Sequence, residues 1–414
     1  MRIALSSYRS KPHSGGQGIY VRNLSRELVA LGHEVTVFSG QPYPELDEGV
    51  RLEKVPSLDL YNDENPFRRP ARSEFRDALD VAEFAGMLSG TFPEPRTFGR
   101  RLRRLLTPRV REFDVLHDNQ TLAPGILAIE RAGLPVVTTI HHPISADRRL
   151  EIADARTPWR KYTKWRWYSF VPMQARVARA SSRVITVSDG SRDDIVREFG
   201  VDPQRLHVVP VGVAVDVFTP RPEQKVAGRL TTITSANVPL KGLDMLLDAV
   251  AQLPSDAWSE LVVVGTANGA ARRRLARHGI EEKVRFVSGI SDEALAGLIA
   301  SAEVHVVPSL YEGFSLPAVE AMACGTPLVA SRVGALPQLV EGTPDDECGD
   351  AGLLVEPGDT TALAEGIERL LADPSLRDEF AMHGRARAES TYSWRAVARA
   401  TVRVYEQEIA RADR

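Results

Sequence analysis

The sequence has only two cysteines, Cys324 and Cys348, too few for a disulfide framework and in no metal-ligand spacing, so reduced thiols are expected. It has no run approaching the ~18 consecutive apolar residues of a membrane-spanning helix. Its opening, Met1-Arg-Ile-Ala-Leu-Ser-Ser7, enters a short predicted strand without the apolar core of a signal peptide. A cytoplasmic chain that does not cross a membrane is the expectation. Excess positive charge is also lacking: the formal net charge of -3 argues against a dedicated nucleic-acid binder. Lysine is scarce, seven residues against 45 arginines, which makes the place of any one lysine informative. Nor is there an Asp-x-Asp pair of the kind that holds a metal against a nucleotide diphosphate, so neither a metal nor a cofactor is expected.

What is present is a chain of 414 residues, long enough for two or three domains at ~150 residues each, with the 43% apolar content of an ordinary folded protein. Short apolar runs predict strands near 2–6, 35–38, 114–117, 136–141 and 184–188, then near 231–235, 261–265, 284–287, 304–308 and 328–331, with helical patterns between them. Such alternation means mainly parallel sheets, so the fold class is α/β, two Rossmann-like doubly wound domains. Val208 to Pro222 passes from strand to a Pro-bearing connection, which puts the boundary near Gly212. The expected domains are 1–212 and 213–393, followed by a terminal helix in 394–414. The stretch 50–110, rich in Pro and Arg, reads as the least regular part.

The sharpest chemical signal is Glu312-Gly-Phe-Ser-Leu-Pro-Ala-Val-Glu320. Pro317 suits a first helical position and Gly325 the position just past the end, which predicts a short helix from about Pro317 to Cys324. The N–H groups near Phe314, Ser315 and Leu316 would then lack helical partners at the positive end of the helix dipole, where a phosphate fits. A carboxylate directly on that phosphate would repel it, so Glu312 and Glu320 make more sense on hydroxyls. Together they describe a sugar nucleotide, with diphosphate on the helix tip, one Glu on a sugar ring and the other on a ribose. The plain alternative is a loop-to-helix junction with two solvated acids. The whole run Pro308-Ser-Leu-Tyr-Glu-Gly-Phe-Ser-Leu-Pro-Ala-Val-Glu-Ala-Met-Ala-Cys-Gly-Thr-Pro327 closely resembles the signature of the retaining glycosyltransferases of family 4. The resemblance implies the GT-B architecture, two domains facing a cleft with the terminal helix crossing back to the first. It gives Glu312 the donor sugar, Glu320 the ribose, and the amides of Phe314, Ser315 and Leu316 the diphosphate.

The resemblance also organises weaker motifs. Ser14-Gly-Gly-Gln-Gly18, between the first strand and a helix, matches the family's Gly-Gly loop; alone it reads as a tight turn. It makes Gly16 a donor contact and places Gly15 and Gln17 on the acceptor side. Lys241, in Val238-Pro-Leu-Lys-Gly242, stands at the family's Lys-Gly position, where its ammonium would meet charge growing on the leaving diphosphate. His141, at a predicted strand end, is implied to touch the donor sugar, and Asn119 and His142 are candidate acceptor contacts. Gly265 and Ile290 follow predicted strands where backbone could approach the base. Many members carry an arginine five residues before the lysine; here that position is Ala236, with Arg9, Lys11 and Arg332 as candidates to compensate.

The resemblance thus implies a metal-independent, retaining transfer of a hexosyl group from a nucleotide-diphosphate sugar to an acceptor hydroxyl on a glycan, a small glycoside or a lipid-linked molecule. Lys241, Glu312 and His141 are its expected catalytic residues. The alternatives are a nucleotide-sugar-binding GT-B protein weakened in catalysis, for which Ala236 is the mark, and an epimerase of the same fold. Two basic stretches, Arg100–Arg104 and Trp159–Tyr168, are candidates for peripheral contact at the inner membrane face. The plain reading of the second is a helix with aromatics packed inward and cations solvated.

Overall fold

The computed structural model describes residues 1–11, 16–234, 238–342 and 348–413, apart from the side chain of Leu150. The chain divides into one unit of residues 1–209 with 397–414 and a second of residues 210–396.

The first unit is built on seven parallel strands: β1 Arg2–Ser7, β2 Glu34–Ser39, β3 Arg51–Lys54, β4 Val115–Asn119, β5 Val136–Ile140, β6 Val184–Thr186 and β7 Leu206–Val208. Their order across the sheet is β3-β2-β1-β4-β5-β6-β7. Central strands are buried along most of their length because both faces are covered by helices: Ile3, Ala4, Leu5, Val37, Leu116 and Val137 are fully buried, and so are the polar Ser6, His117, Asp118 and Thr138 towards the carboxyl ends. The second unit has six: β8 Arg229–Ile233, β9 Glu260–Val264, β10 Val284–Val287, β11 Val304–Val307, β12 Leu328–Ser331 and β13 Gly352–Val355, ordered β10-β9-β8-β11-β12-β13 and also parallel. Leu246, Val263 and Val306 anchor its core on one side, with Val319, Met322 and Leu328 in a second cluster.

In each sheet the chain winds outward in one direction, returns, and continues in the other. The reversals fall between β1 and β4 and between β8 and β11. Open parallel sheets bind ligands at the carboxyl ends of strands flanking such a reversal. Here those ends lead to Gly16 and Asn119 in the first unit, and to Lys241 and Glu312 in the second.

Several expectations need correction. β3 and β13 were not anticipated, because Arg51–Lys54 is a charged, half-exposed sheet-edge segment and Gly352–Val355 a four-residue edge run. The stretch 50–110 is more regular than its composition suggests. It contains helices Ala78–Leu88 and Glu94–Leu106, the first started by Asp77, whose carboxylate accepts from the amides of Leu79 and Asp80. The aromatics of helix Pro158–Trp167 do not pack inward: Trp159 is 71% exposed, and Tyr162 and Trp165 are also exposed. Trp167 alone turns in, against Tyr61 and Phe92. Helix Trp394–Ala412 buries Val397, Ala398, Val404 and Tyr405.

Candidate functional site

In the second unit, β8 runs through Thr234 towards a short turn, Pro239–Lys241, and β11 runs into the loop before helix Leu316–Ala323. Three contacts tie these loops together. Leu310 N–H donates to the Leu240 carbonyl at 2.8 Å. Gly242, at φ 70°, lies so close to the Pro308 carbonyl that a Cβ would come within 1.8 Å of its oxygen. Lys241 Nζ donates to both oxygens of Glu312, at 3.0 and 2.8 Å, and Ser309 Oγ donates to one of them at 3.0 Å. The glycine of Lys-Gly is therefore a steric requirement: only without a side chain can the turn seat against β11 and bring the ammonium to the carboxylate. Gly334 serves the same end from the other side, since a Cβ there would meet the Glu312 carbonyl oxygen at 1.5 Å.

The helix starts at Leu316, one residue earlier than expected, because Ser315 is its N-cap, accepting from the Ala318 amide at 3.4 Å; Cys324 is the C-cap and Gly325 adopts φ 62°. Phe314, Ser315 and Leu316 thus form the turn at the helix start, with Phe314 against Tyr392. Glu320 lies one turn into the helix on a mostly buried face, where no donor among the described residues reaches its carboxylate. Burial, with Asp292 adding negative charge nearby, raises its pKa from 4.5 to about 7. Gly265 follows β9 and spends its N–H on the Val287 carbonyl; Ile290, half-buried, follows β10.

In the first unit, Asn119 ends β4 and His141 follows β5. The His141 Nε2 and Asn119 Oδ1 atoms are 2.8 Å apart, which makes Nε2 the protonated nitrogen, while Asn119 Nδ2 is buried without a partner. Burial, assisted by His142, lowers the His141 pKa to about 3, so the imidazole is neutral. The Tyr20 ring meets it edge-on at 4.8 Å. Gln120, at φ 55°, clamps both histidine backbones: its Oε1 accepts from His141 N–H at 2.8 Å and its Nε2 donates to the His142 carbonyl at 3.0 Å. His142 itself is exposed and pairs with Asp147 at 3.1 Å. Gly16 and Gln17 open helix Gly16–Ala30; Gly16 is sterically open, and the demanding glycine is Gly18, where a Cβ would meet the Lys11 carbonyl oxygen at 1.9 Å. Gly15 and Ala236 lie outside the described residues.

The structure therefore joins Lys241 to Glu312 and His141 to Asn119. Sequence reasoning missed Ser309, Gly334 and Gln120. Ser309 carries only a weak signal, a hydroxyl at a strand end, and the Gln120 clamp depends on a backbone turn that composition does not announce. The compensating cations are engaged elsewhere: Arg9 with Glu94 and the Tyr61 carbonyl, Lys11 with Asp63, and Arg332 with Glu341. Among the described residues no group of three or more His, Cys, Asp or Glu could hold a metal ion, and no helix is long and apolar enough to cross a membrane.

Residues 14–217 match Glycosyltransferase Family 4 and residues 227–373 match Glycosyl transferases group 1. The chain is 53% identical over 414 residues to the MMP alpha-(1->4)-mannosyltransferase of Mycolicibacterium hassiacum, covering 99% of each chain. Sucrose-phosphate synthase of Thermosynechococcus elongatus superposes with a TM-score of 0.70 at 25% identity, covering 99% of both. HepE of Anabaena, solved in complex with UDP-glucose, superposes with a TM-score of 0.65 at 18% identity, over 100% of this chain and 99% of that one. The two parallel sheets are those of the GT-B glycosyltransferases.

Proposed function

The chain belongs to glycosyltransferase family 4, and on that premise we propose that it moves a mannosyl group from a nucleotide-diphosphate sugar to an acceptor hydroxyl, retaining the anomeric configuration and forming an α-(1→4) link. The observation that carries the reading is the Lys241–Glu312 pair beside the start of helix Leu316–Ala323, at the strand-order reversal of the second sheet. A donor diphosphate on the amides of Phe314, Ser315 and Leu316 would draw the Lys241 ammonium from Glu312, leaving that carboxylate to accept from hydroxyls of the sugar. Glu320, partly buried and with no donor among the described residues, takes the ribose hydroxyls. Gly265 and Ile290 border the base.

The second unit is thus the donor domain, and the first, with Asn119, Gln17 and His142, receives the acceptor, which is a glycan, a glycoside or a lipid-linked molecule. His141, neutral and fixed by Asn119 and Gln120, has its Nε2 proton on Asn119 and offers Nδ1 as an acceptor for a sugar hydroxyl. As the bond from the anomeric carbon to the leaving phosphate oxygen breaks, the acceptor oxygen bonds that carbon on the same face and passes its proton to the departing phosphate. Lys241 and the helix amides meet the charge on the leaving group, so the step is read as metal-independent. Peripheral membrane contact through Trp159, Tyr162 and Trp165, flanked by Arg160 and Lys161, is proposed on their outward placement; vesicle binding that persists in the triple alanine variant would sink it.

The test is incubation of the purified protein with UDP-, GDP- and ADP-mannose and an α-(1→4)-mannoside acceptor, with and without EDTA, reading the product by NMR. An α-linked product from one donor, unaltered by EDTA, is expected. A β-linked product would end the retaining mechanism, loss of turnover in EDTA the metal independence, and donor binding without any transfer the enzymatic reading, in favour of a nucleotide-sugar-binding protein.

A further inference from the structure

Helix Glu94–Leu106 carries five arginines, and the structure treats them in two ways. Arg101, largely covered, pairs with the buried Asp80 and Glu83, and Arg104 bonds Asp77 at 2.7 Å. Arg96, Arg100 and Arg103, spaced four and three residues apart and therefore on one helix face, are exposed and have no carboxylate partner among the described residues. Like charges at such spacings cost roughly 0.2–0.5 kcal/mol per pair, and no carboxylate among the described residues offsets them.

A cavity of about 310 Å³ opens on that face. Arg96 and Arg100 stand on one side and Arg176, from helix Val171–Ala180, on the other. Among the described residues Arg176 uses only Nε, on the Pro172 carbonyl of its own helix at 3.3 Å. Leu127, Met173 and Val177 provide hydrocarbon, and no Asp or Glu lines the space. The groove exists because helices Glu94–Leu106 and Pro124–Arg131 touch backbone to backbone: a Cβ on Gly125 would come within 2.0 Å of the Gly99 carbonyl oxygen. Helix Pro124–Arg131 leaves the sheet at the carboxyl end of β4, the edge that bears Asn119.

From this geometry we infer that the cavity is a binding site for an organic phosphate monoester whose organic part is apolar. Three guanidiniums with no carboxylate partner among the described residues suit a dianion with several acceptor oxygens, because the planar fork pairs with phosphate through two parallel hydrogen bonds. A carboxylate would leave most of that charge uncompensated. At 310 Å³ the space equals about ten waters at ~30 Å³ each, far more than a bare phosphate needs, and its floor is hydrocarbon. The site owes nothing to the nucleotide-sugar chemistry, so its failure would leave the proposed transfer intact. The same chemistry can come from a free molecule or from a lipid headgroup.

The experiment uses the full chain, with phenyl phosphate and inorganic phosphate as soluble probes in calorimetry, and with flotation on phosphatidylcholine vesicles containing or lacking phosphatidic acid. The variants are Arg100→Gln/Arg176→Gln and, as a control at an exposed arginine elsewhere, Arg69→Gln. Melting temperatures of both should match the parent, since the substituted side chains are exposed and lack acid partners. Phenyl phosphate should bind at least tenfold more tightly than inorganic phosphate, and the double variant should lose about tenfold or more, with Arg69→Gln unchanged. If phenyl phosphate does not bind but phosphatidic acid vesicles capture the parent and not the double variant, the site holds and its phosphate is a lipid's. Equal binding of the two soluble probes would overturn the apolar part. Equal binding by parent and double variant, or no binding of any probe, would overturn the site.

Discussion

Replacing Glu320 by Gln should make the second unit more stable and less able to hold a nucleotide, and pH should separate the two effects. In the folded protein the Glu320 carboxyl has its pKa raised to about 7 against 4.5 for the ordinary group, because it is largely withdrawn from water with no donor among the described residues, and Asp292 adds negative charge. Below pH 4.5 it is protonated whether the chain is folded or not, and contributes nothing. Between 4.5 and 7 unfolding releases its proton, so the penalty of keeping it in place grows as pH rises, and above 7 it is fully present. That displacement corresponds to about 3 kcal/mol at ~1.36 kcal/mol per pH unit, an upper figure for a group that water partly reaches. For a unit of this size that is a rise of at most roughly 6–12 °C in melting temperature at pH 8. The assay is thermal melting of parent and Glu320→Gln at pH 4.5, 6 and 8, with and without the nucleotide that binds. The melting difference should be near zero at pH 4.5 and largest at pH 8, while nucleotide stabilisation shrinks in the variant because an amide accepts ribose hydroxyls less strongly than a carboxylate. A difference independent of pH would refute the burial argument; undiminished nucleotide stabilisation would refute the ribose assignment.

Lys241→Ala should cut transfer by about 10²–10³-fold in turnover, the scale of removing one group that stabilises leaving-group charge, and Lys241→Arg should recover little, because the larger guanidinium spreads its charge over a planar fork and does not stand where the compact ammonium does; a variant with more than a tenth of parental turnover would count against the assignment. Gly242→Ala forces a Cβ to 1.8 Å from the Pro308 oxygen at a positive φ, and should cost at least ~2 kcal/mol together with activity, read as a melting shift absent from Gly16→Ala, whose Cβ meets nothing. His141, with its pKa lowered to about 3, is neutral when folded but takes up a proton when unfolded below pH 6.5, so its contribution to stability is lost as pH falls through that window. His141→Gln should therefore gain on the parent in melting temperature from pH 6.5 down to 4.5, and a constant difference would show the imidazole to be solvated.

The chain of apolar runs at the centres of both sheets was enough to announce two doubly wound α/β units, because strands covered on both faces are rich in apolar residues on both sides. The order Glu312 to Glu320, with Pro317 and Gly325 as punctuation, announced a helix start flanked by acids, and the length of that match carried the family. Capping chemistry and glycine conformations are local, so they are written in local sequence. Edge strands β3 and β13 were not legible, since a half-exposed strand needs neither apolar continuity nor strict alternation. The outward turn of Trp159, Tyr162 and Trp165 was equally hidden, because residue types do not state which face of a helix meets the core.

What only the tertiary structure decided were the pairings between distant segments. Lys241 reaches Glu312, 71 residues away, because β8 and β11 are neighbours and Gly242 lets one loop sit on the other. His141 is held by Asn119 and Gln120 because β4 and β5 are adjacent and Gln120 accepts a positive φ. The raised Glu320 carboxyl and the separation of the arginines of helix Glu94–Leu106 into paired and unpaired rows are likewise products of burial and neighbours. Sequence fixes which groups exist and their local turn geometry; desolvation and long-range contact, which set their charge and partners, exist only once the chain has closed around them.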